Sequence, residues 1–250
     1  MSKVSLSGDL CNNTLARIVE RLQLTEVCGE EGGPHKVLLS HAPVAEGPVG
    51  DVRVFKGDRI RQLVKVTIAV PQIFLDSHMI FAFTDGDSPV PHFTLDSVEA
   101  GEHFAFHLDL IPKMDLGACA PYMNEVFHPL TPLFEEANSI EGLSLAELSP
   151  RQFAIMSPWM MAKRASESAF REIEASVNKY LDHWFSVLES GVSDAATSGV
   201  TPEAFAARDK ANREMIFSSE IDPVWNRIQG LLGEEMVNYQ QQLLRGEIEL

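Results

Sequence analysis

The stretch PHFTLDSVEAGEHFAFHLDLIP, residues 91–112, reads as two β-strands joined by a short turn. In EHFAFHLDLI the even positions Phe104, Phe106, Leu108 and Leu110 form one apolar face. The odd positions set His103, His107 and Asp109 on the other, with Ala105 between them. In PHFTLDSV, Phe93 and Leu95 face one way and His92, Thr94 and Asp96 the other. With Glu99–Glu102 as the loop and no bulge, Val98 is expected opposite His103, Asp96 opposite Ala105 and Thr94 opposite His107, so both polar sets share a face. A carboxylate in so apolar a strand needs solvent, a partner or a chemical role. Under a layer of helices its charged form is disfavoured and its pKa raised, which suits a proton donor near neutral pH. The alternatives are a face that meets water, common for antiparallel sheets, and a metal site from His92, His103 and His107, whose spacing matches no recognised ligand pattern.

Outward from this hairpin, residues 36–112 alternate short β-rich runs with turn signals: HKVLLSHAPV, GDVRVFKG, IRQLVKVTIAV and QIFLDSHMIFAFT precede it. Connections this short do not hold the helical crossovers of a parallel sheet. After Pro112 the strand pattern largely stops and helical spacing takes over. ASESAFREIEASVNKYLDHWFSVLES repeats Phe170, Ile173, Val177, Tyr180, Leu181, Trp184 and Leu188 at helical intervals behind a Ser166 cap. TPEAFAARDKANREMIFS and DPVWNRIQGLLGEEMVNYQQQLLRG supply further helices. Strands followed by helices predict an α+β fold. One domain over residues 1–250 is expected, its antiparallel sheet mainly in 36–112 and its helices mainly in 120–247.

A formal net charge of −16 excludes non-specific binding to nucleic acid or anionic lipid. Residues 52–65, VRVFKGDRIRQLVK, run against that balance with Arg53, Lys56, Arg59, Arg61 and Lys65 beside Asp58 alone. Such a run is either a solvated edge strand or a patch that steers one acidic partner. Cys11, Cys28 and Cys119 have no ligand-type spacing and suggest a reducing compartment. No apolar run approaches the roughly 20 residues that span a bilayer, and MSKVSLSGDLCNN lacks a signal-peptide core. The expectation is a soluble, cytoplasmic protein that binds neither nucleic acid nor membrane.

Several separated stretches together resemble the ferredoxin-dependent bilin reductase and red chlorophyll catabolite reductase superfamily. SPVPHFTLDSV resembles the strand that ends in the superfamily's acidic site residue, with Asp96 on that position. LDLIPKMDLGACAPYMNEVF resembles the next strand and the helix after it in the chlorophyll catabolite branch. SPWMMAKR resembles the segment whose Arg approaches a substrate propionate, a role that falls to Arg164 or Lys163. ARDKANREMIF resembles an Asn-Asp-Lys-Thr-Arg stretch and places Asp209 on a second acidic position, with Lys210 beside it and Arg213 a turn later. The resemblance implies a three-layer α/β/α sandwich with a central antiparallel sheet and an open-chain tetrapyrrole, such as biliverdin, between sheet and C-terminal helices. It implies no bound cofactor and no metal. Electrons arrive singly from the iron–sulfur cluster of reduced ferredoxin, while Asp96 and Asp209 protonate the substrate radical. His78 follows the spacing of a bilin reductase histidine to within about one residue, and Lys210, Arg213 and Arg164 suit propionates. Arg53, Lys56, Arg59 and Arg61 become candidates for ferredoxin docking. Departures are Arg208, where the bilin reductases have Asn, and LVKVTIAV, which offers no acid on the preceding strand. The same resemblance leaves open a non-catalytic tetrapyrrole carrier or a reductase of a chlorophyll catabolite. An acid/base hydrolase or isomerase using Asp96 with His78 or His107 lacks any nucleophile signature.

Overall fold

The computed structural model describes residues 5–29, 32–197 and 199–250. A helix comes first: α1 (Leu6–Leu22) starts where the Ser5 hydroxyl accepts a 2.7 Å hydrogen bond from the Gly8 amide. Its Leu10, Cys11, Leu15, Ile18 and Leu22 are buried at helical spacing. The short strands β1 (Thr25–Glu26) and β2 (Lys36–Leu39) follow, and both pair with β3 (Pro48–Gly57). An antiparallel meander then runs through β4 (Ile60–Val70), β5 (Leu75–Phe83), β6 (His92–Ala100) and β7 (His103–Ile111).

The half expected to be helical also contributes to the sheet. After the single turn α2 (Ala120–Tyr122) and helix α3 (Thr131–Asn138) come β8 (Leu143–Leu145), α4 (Pro150–Ala154) and β9 (Met161–Ala165). β9 pairs antiparallel with β7 and β8 with β9, completing the order β1-β3-β4-β5-β6-β7-β9-β8 with β2 also on β3. These strands escape a pattern search because MAKRA carries two adjacent charges and LSL is only three residues long. The remaining helices are α5 (Glu167–Ser190), α6 (Pro202–Ile216), α7 (Val224–Leu232) and α8 (Glu234–Arg245).

Alternation along the strands builds two cores. Phe93, Leu95, Phe104, Phe106, Leu108 and Leu110 pack beneath α1 and α5 with Phe170, Tyr180 and Trp184. The Trp184 indole is fully buried and donates a 2.9 Å hydrogen bond to the Pro91 carbonyl, which fixes the head of the hairpin to α5. On the other face Val54, Val64, Val66, Phe81 and Phe83 pack against Phe217, Trp225, Leu232 and Leu244 of the C-terminal helices. Helices on both faces of one antiparallel sheet make the three-layer α/β/α sandwich.

The β6–β7 register is tighter than the loop length suggested. Ala100 pairs with His103, Val98 with Ala105, Asp96 with His107 and Thr94 with Asp109. The turn is Gly101–Glu102, with Gly101 at φ +69°, the conformation a two-residue hairpin turn with Gly first requires. Because the register moves by two residues, every side chain keeps its face.

Candidate functional site

Asp96 looks toward the C-terminal helices. Three cross-strand rows define its surroundings: Phe81–Thr94–Asp109, then Met79–Asp96–His107–Ala162, then Ser77–Val98–Ala105–Arg164. Phe81, Thr94 and Asp109 are buried, Met79, Asp96 and His107 half-buried, and Arg164 exposed. Exposure thus rises along the strands toward the β6–β7 turn, so the face is a cleft closed at one end. A groove of about 570 Å³ toward the sheet edge is lined by Val98, His103, Ala105, Ser144 and Arg164, and so shares the third row. A larger groove of about 900 Å³ runs elsewhere, between α1 and α5. There Arg17 pairs with Asp182 and Arg21 with Glu189, both at the surface. Volume alone does not locate the site.

Such groups converge on Asp96. Among the described residues Thr94 Oγ1, Asp96 Oδ1 and His107 Nε2 are sealed from solvent without a hydrogen-bond partner. Buried polar atoms are normally bonded, so three on adjacent positions suit a polar ligand; Asp51 Oδ1, Thr67 Oγ1 and His78 Nδ1 form a second such row on the α1 face. Asp96 Oδ2 and His107 Nδ1 face each other at 3.9 Å. A third of the Asp96 side chain is open, but onto the cleft, and burial leads in pushing its pKa up to about 8, with Asp222 of the α6–α7 connection adding repulsion. Burial likewise holds His107 down to about 4. Asp109 is wholly buried; its carboxyl accepts from the Ser157 amide at 2.9 Å and the Ser157 hydroxyl at 2.5 Å. Burial raises it to about 7 against those hydrogen bonds.

Asp209 has the opposite environment and does not fit the role of proton donor. Its Oδ1 accepts from His92 Nε2 at 2.5 Å and from Lys113 Nζ at 2.6 Å, and Arg213 stands 3.8 Å from Oδ2. Burial works to raise its pKa, but the His92 hydrogen bond and the Lys113 charge prevail and hold it below the carboxylate range. The Thr84 amide donates to His92 Nδ1 at 3.0 Å, so the His92 proton sits on Nε2 and points at Asp209. Burial and Lys113 lower His92 to about 4, which keeps it neutral. The result is a closed, ionised network.

Other expected residues also lie elsewhere. His78 pairs with Ser97, and its alternation puts it on the opposite face from Asp96, against α1. There its Nε2 meets Asp76 at 2.7 Å. An offset of one residue in a strand reverses the face, which is why a spacing match one residue off misplaced it. Lys163 shares the α5-side face with Met161 and donates to Asn138 of α3. Arg213 is buried, donates to the Leu244 carbonyl at 2.8 Å and lies 3.9 Å over the Phe83 ring. It pins α8 and is not available to a propionate. Lys210 is exposed, 4.0 Å from Glu214 on its own helix. Of the cationic candidates Arg164 alone stands on the Asp96 face, at the cleft mouth, 3.7 Å from Glu147. The basic run is divided as well: Arg53 forms a two-pronged pair with Glu26, Lys56 donates to the Leu250 carbonyl and Lys65 is buried on Asn12. Arg59 and Arg61 are exposed at the β3–β4 turn.

The residue that pattern reading passed over is Lys113; Thr94 and His107 were placed on the Asp96 face but expected opposite each other, whereas Thr94 stands opposite Asp109 and His107 opposite Asp96. Lys113 follows the LDLIP strand end directly, yet nothing local shows that it turns inward to Asp209. The histidines do not make a metal centre, since His92 is engaged by Asp209 and Thr84. Among the described residues no group of three His, Cys, Asp or Glu side chains is placed to hold a metal ion. No helix there is long and apolar enough to cross a membrane.

No family model matches the sequence, and no curated protein matches it. Among solved structures the chain is similar to selenomethionine-labelled phytochromobilin synthase from tomato in complex with biliverdin. The TM-score is 0.74, over 95% of this chain and 82% of that one, at 19% sequence identity. That likeness covers the sheet and both helical layers, and the chain shares the fold of a structure crystallised with biliverdin.

Proposed function

We propose that the chain reduces an open-chain tetrapyrrole such as biliverdin, with electrons delivered one at a time by reduced ferredoxin and Asp96 as proton donor. The observation that carries this reading is the Asp96 carboxyl, opposite His107 and beside Thr94 with atoms of all three lacking partners, where burial pushes its pKa up to about 8. A general acid is most effective when its pKa lies near the working pH. Saturating one double bond consumes two electrons and two protons, and a flat conjugated ligand lying on Met79, Val98 and Ala105 meets Asp96 edge-on. Arg164 at the mouth suits a propionate. Within the basic run, Arg59 and Arg61 are the exposed charges suited to meet an acidic ferredoxin. The three cysteines are unpaired thiols, which fits the reducing cytoplasm.

A second reading, a tetrapyrrole carrier on the same fold, is favoured by one feature: Asp209, expected as the other donor, is fixed as an ionised partner of Lys113. Mixing the purified protein with biliverdin and then adding a reduced ferredoxin system separates the two. Binding followed by spectral conversion supports the reductase. A bound but unchanged spectrum supports the carrier, and no shift with biliverdin or another linear tetrapyrrole contradicts both.

A further inference from the structure

Two protons must reach the substrate, and the α6 acid expected to supply the second, Asp209, is engaged by His92 and Lys113. The sheet holds one. Thr94 and Asp96 on β6 and His107 and Asp109 on β7 form a square on one face, with Thr94 opposite Asp109 and Asp96 opposite His107. Directly opposed residues lie roughly 4.5–5.5 Å apart between Cα atoms. Alternate residues of one strand are separated by about 7 Å. Each acid therefore has one connector along its own strand and the other across from it. Hydroxyl and imidazole both accept and donate protons. Each connector carries an atom sealed without a partner among the described residues, Thr94 Oγ1 and His107 Nε2. His107 Nδ1 already faces Asp96 Oδ2 at 3.9 Å.

We propose that Asp109 is the proton reserve of Asp96, so that both protons of the reduction pass through the sheet, relayed by His107 or Thr94, and α6 supplies none. The inference rests on the reductase reading. In the first step the substrate, reduced by one electron from ferredoxin, takes the Asp96 proton: an O–H bond breaks and a C–H bond forms. Asp109 then gives up its proton to a connector, which releases another to the Asp96 carboxylate, so one O–H is lost and one regained. A second electron and the renewed Asp96 proton complete the product, and after release solvent supplies two protons through the partly open Asp96, one passing back over the same connector to Asp109 and one remaining on Asp96. Burial keeps protons on both acids near neutral pH, up to about 8 on Asp96 and about 7 on Asp109. The titratable groups around the square are His107, Asp222 beside Asp96, Cys11 of α1, which feels the Asp96 charge, and Tyr180 of α5, which feels the Asp109 charge.

Anaerobic single-turnover spectroscopy with biliverdin and reduced ferredoxin tests the reserve. Asp109→Asn is expected to complete the first protonation at the wild-type rate and to accumulate the half-reduced substrate radical, with the second step slowed at least tenfold. Ser157→Ala removes a hydrogen bond that favours ionised Asp109, so the alkaline limb of the second step should move to higher pH. The reserve is overturned if folded Asp109→Asn runs both steps at wild-type rates. Should that variant not fold, Ser157→Ala decides: an unmoved limb overturns the proposal. If wild type itself leaves biliverdin unreduced, the reductase reading fails and the reserve with it. If wild type and Asp109→Asn reduce biliverdin identically, only the reserve falls.

Discussion

Asp96 and Asp209 both stand beside a histidine, yet their surroundings drive them in opposite directions. Asp96 gains burial and the repulsion of Asp222 without a cation, and keeps its proton to about pH 8. Asp209 gains Lys113, Arg213 and a donating His92, and stays ionised. Stability should report the difference. Between the ordinary value of 3.8 and about 8 the folded chain holds a proton on Asp96 that the unfolded chain releases, so this group makes stability fall as pH rises through that window. Asp96→Asn should therefore melt above wild type at about pH 8, with the gap narrowing toward about pH 4, in thermal unfolding across pH. Asp209→Asn leaves the buried Lys113 ammonium without its counter-charge and should cost about 3–5 kcal/mol in denaturant unfolding at neutral pH. Asp96 was legible in the sequence because a period of two assigns a face from neighbours alone. The Asp209 partners were not, because they come from 96 and 117 residues away and no local pattern encodes them.

The elements differ in legibility for the same reason. α5 declares itself through seven apolar residues at helical spacing behind a serine cap. α1 was missed because Gly8, Asn12 and Asn13 interrupt its stripe, and its stability comes from packing on β5, β6 and α5. β9 was missed because a five-residue strand with two adjacent charges becomes a strand only once β7 offers it a ladder. His78 shows the cost of a one-residue offset inside a strand: it crosses from the cleft to the α1 side. At the C-terminus, Arg213 holds the last turn of α8 through the Leu244 carbonyl, and Gly246 closes it at φ +76°. A Cβ on Gly246 meets the Arg213 guanidinium at 3.1 Å. Gly246→Ala should therefore destabilise the protein by about 1–3 kcal/mol, read as a lowered denaturation midpoint at unchanged slope.

At the scale of the whole molecule, the sandwich leaves part of one sheet face only half-buried, and that part carries Met79, Asp96, Val98, Ala105 and His107. The class of fold followed from strands preceding helices, but which face stays open depends on where α6 to α8 settle, and only the folded chain shows that. Net charge bears on encounter with a partner. With −16 overall, an acidic electron donor is repelled except near exposed positive charge such as Arg59 and Arg61. Reversing both charges should raise the apparent Michaelis constant for ferredoxin, most at low salt, with the difference shrinking as added salt screens it. An unchanged constant across ionic strengths contradicts docking there. The central claim is that Asp96 protonates a tetrapyrrole bound in this cleft. Its most direct test is the anaerobic absorption spectrum of wild type and Asp96→Asn, each loaded with biliverdin and then given reduced ferredoxin. The account predicts the same bound spectrum for both, conversion by wild type, and in the variant binding without conversion; turnover by Asp96→Asn at the wild-type rate contradicts it.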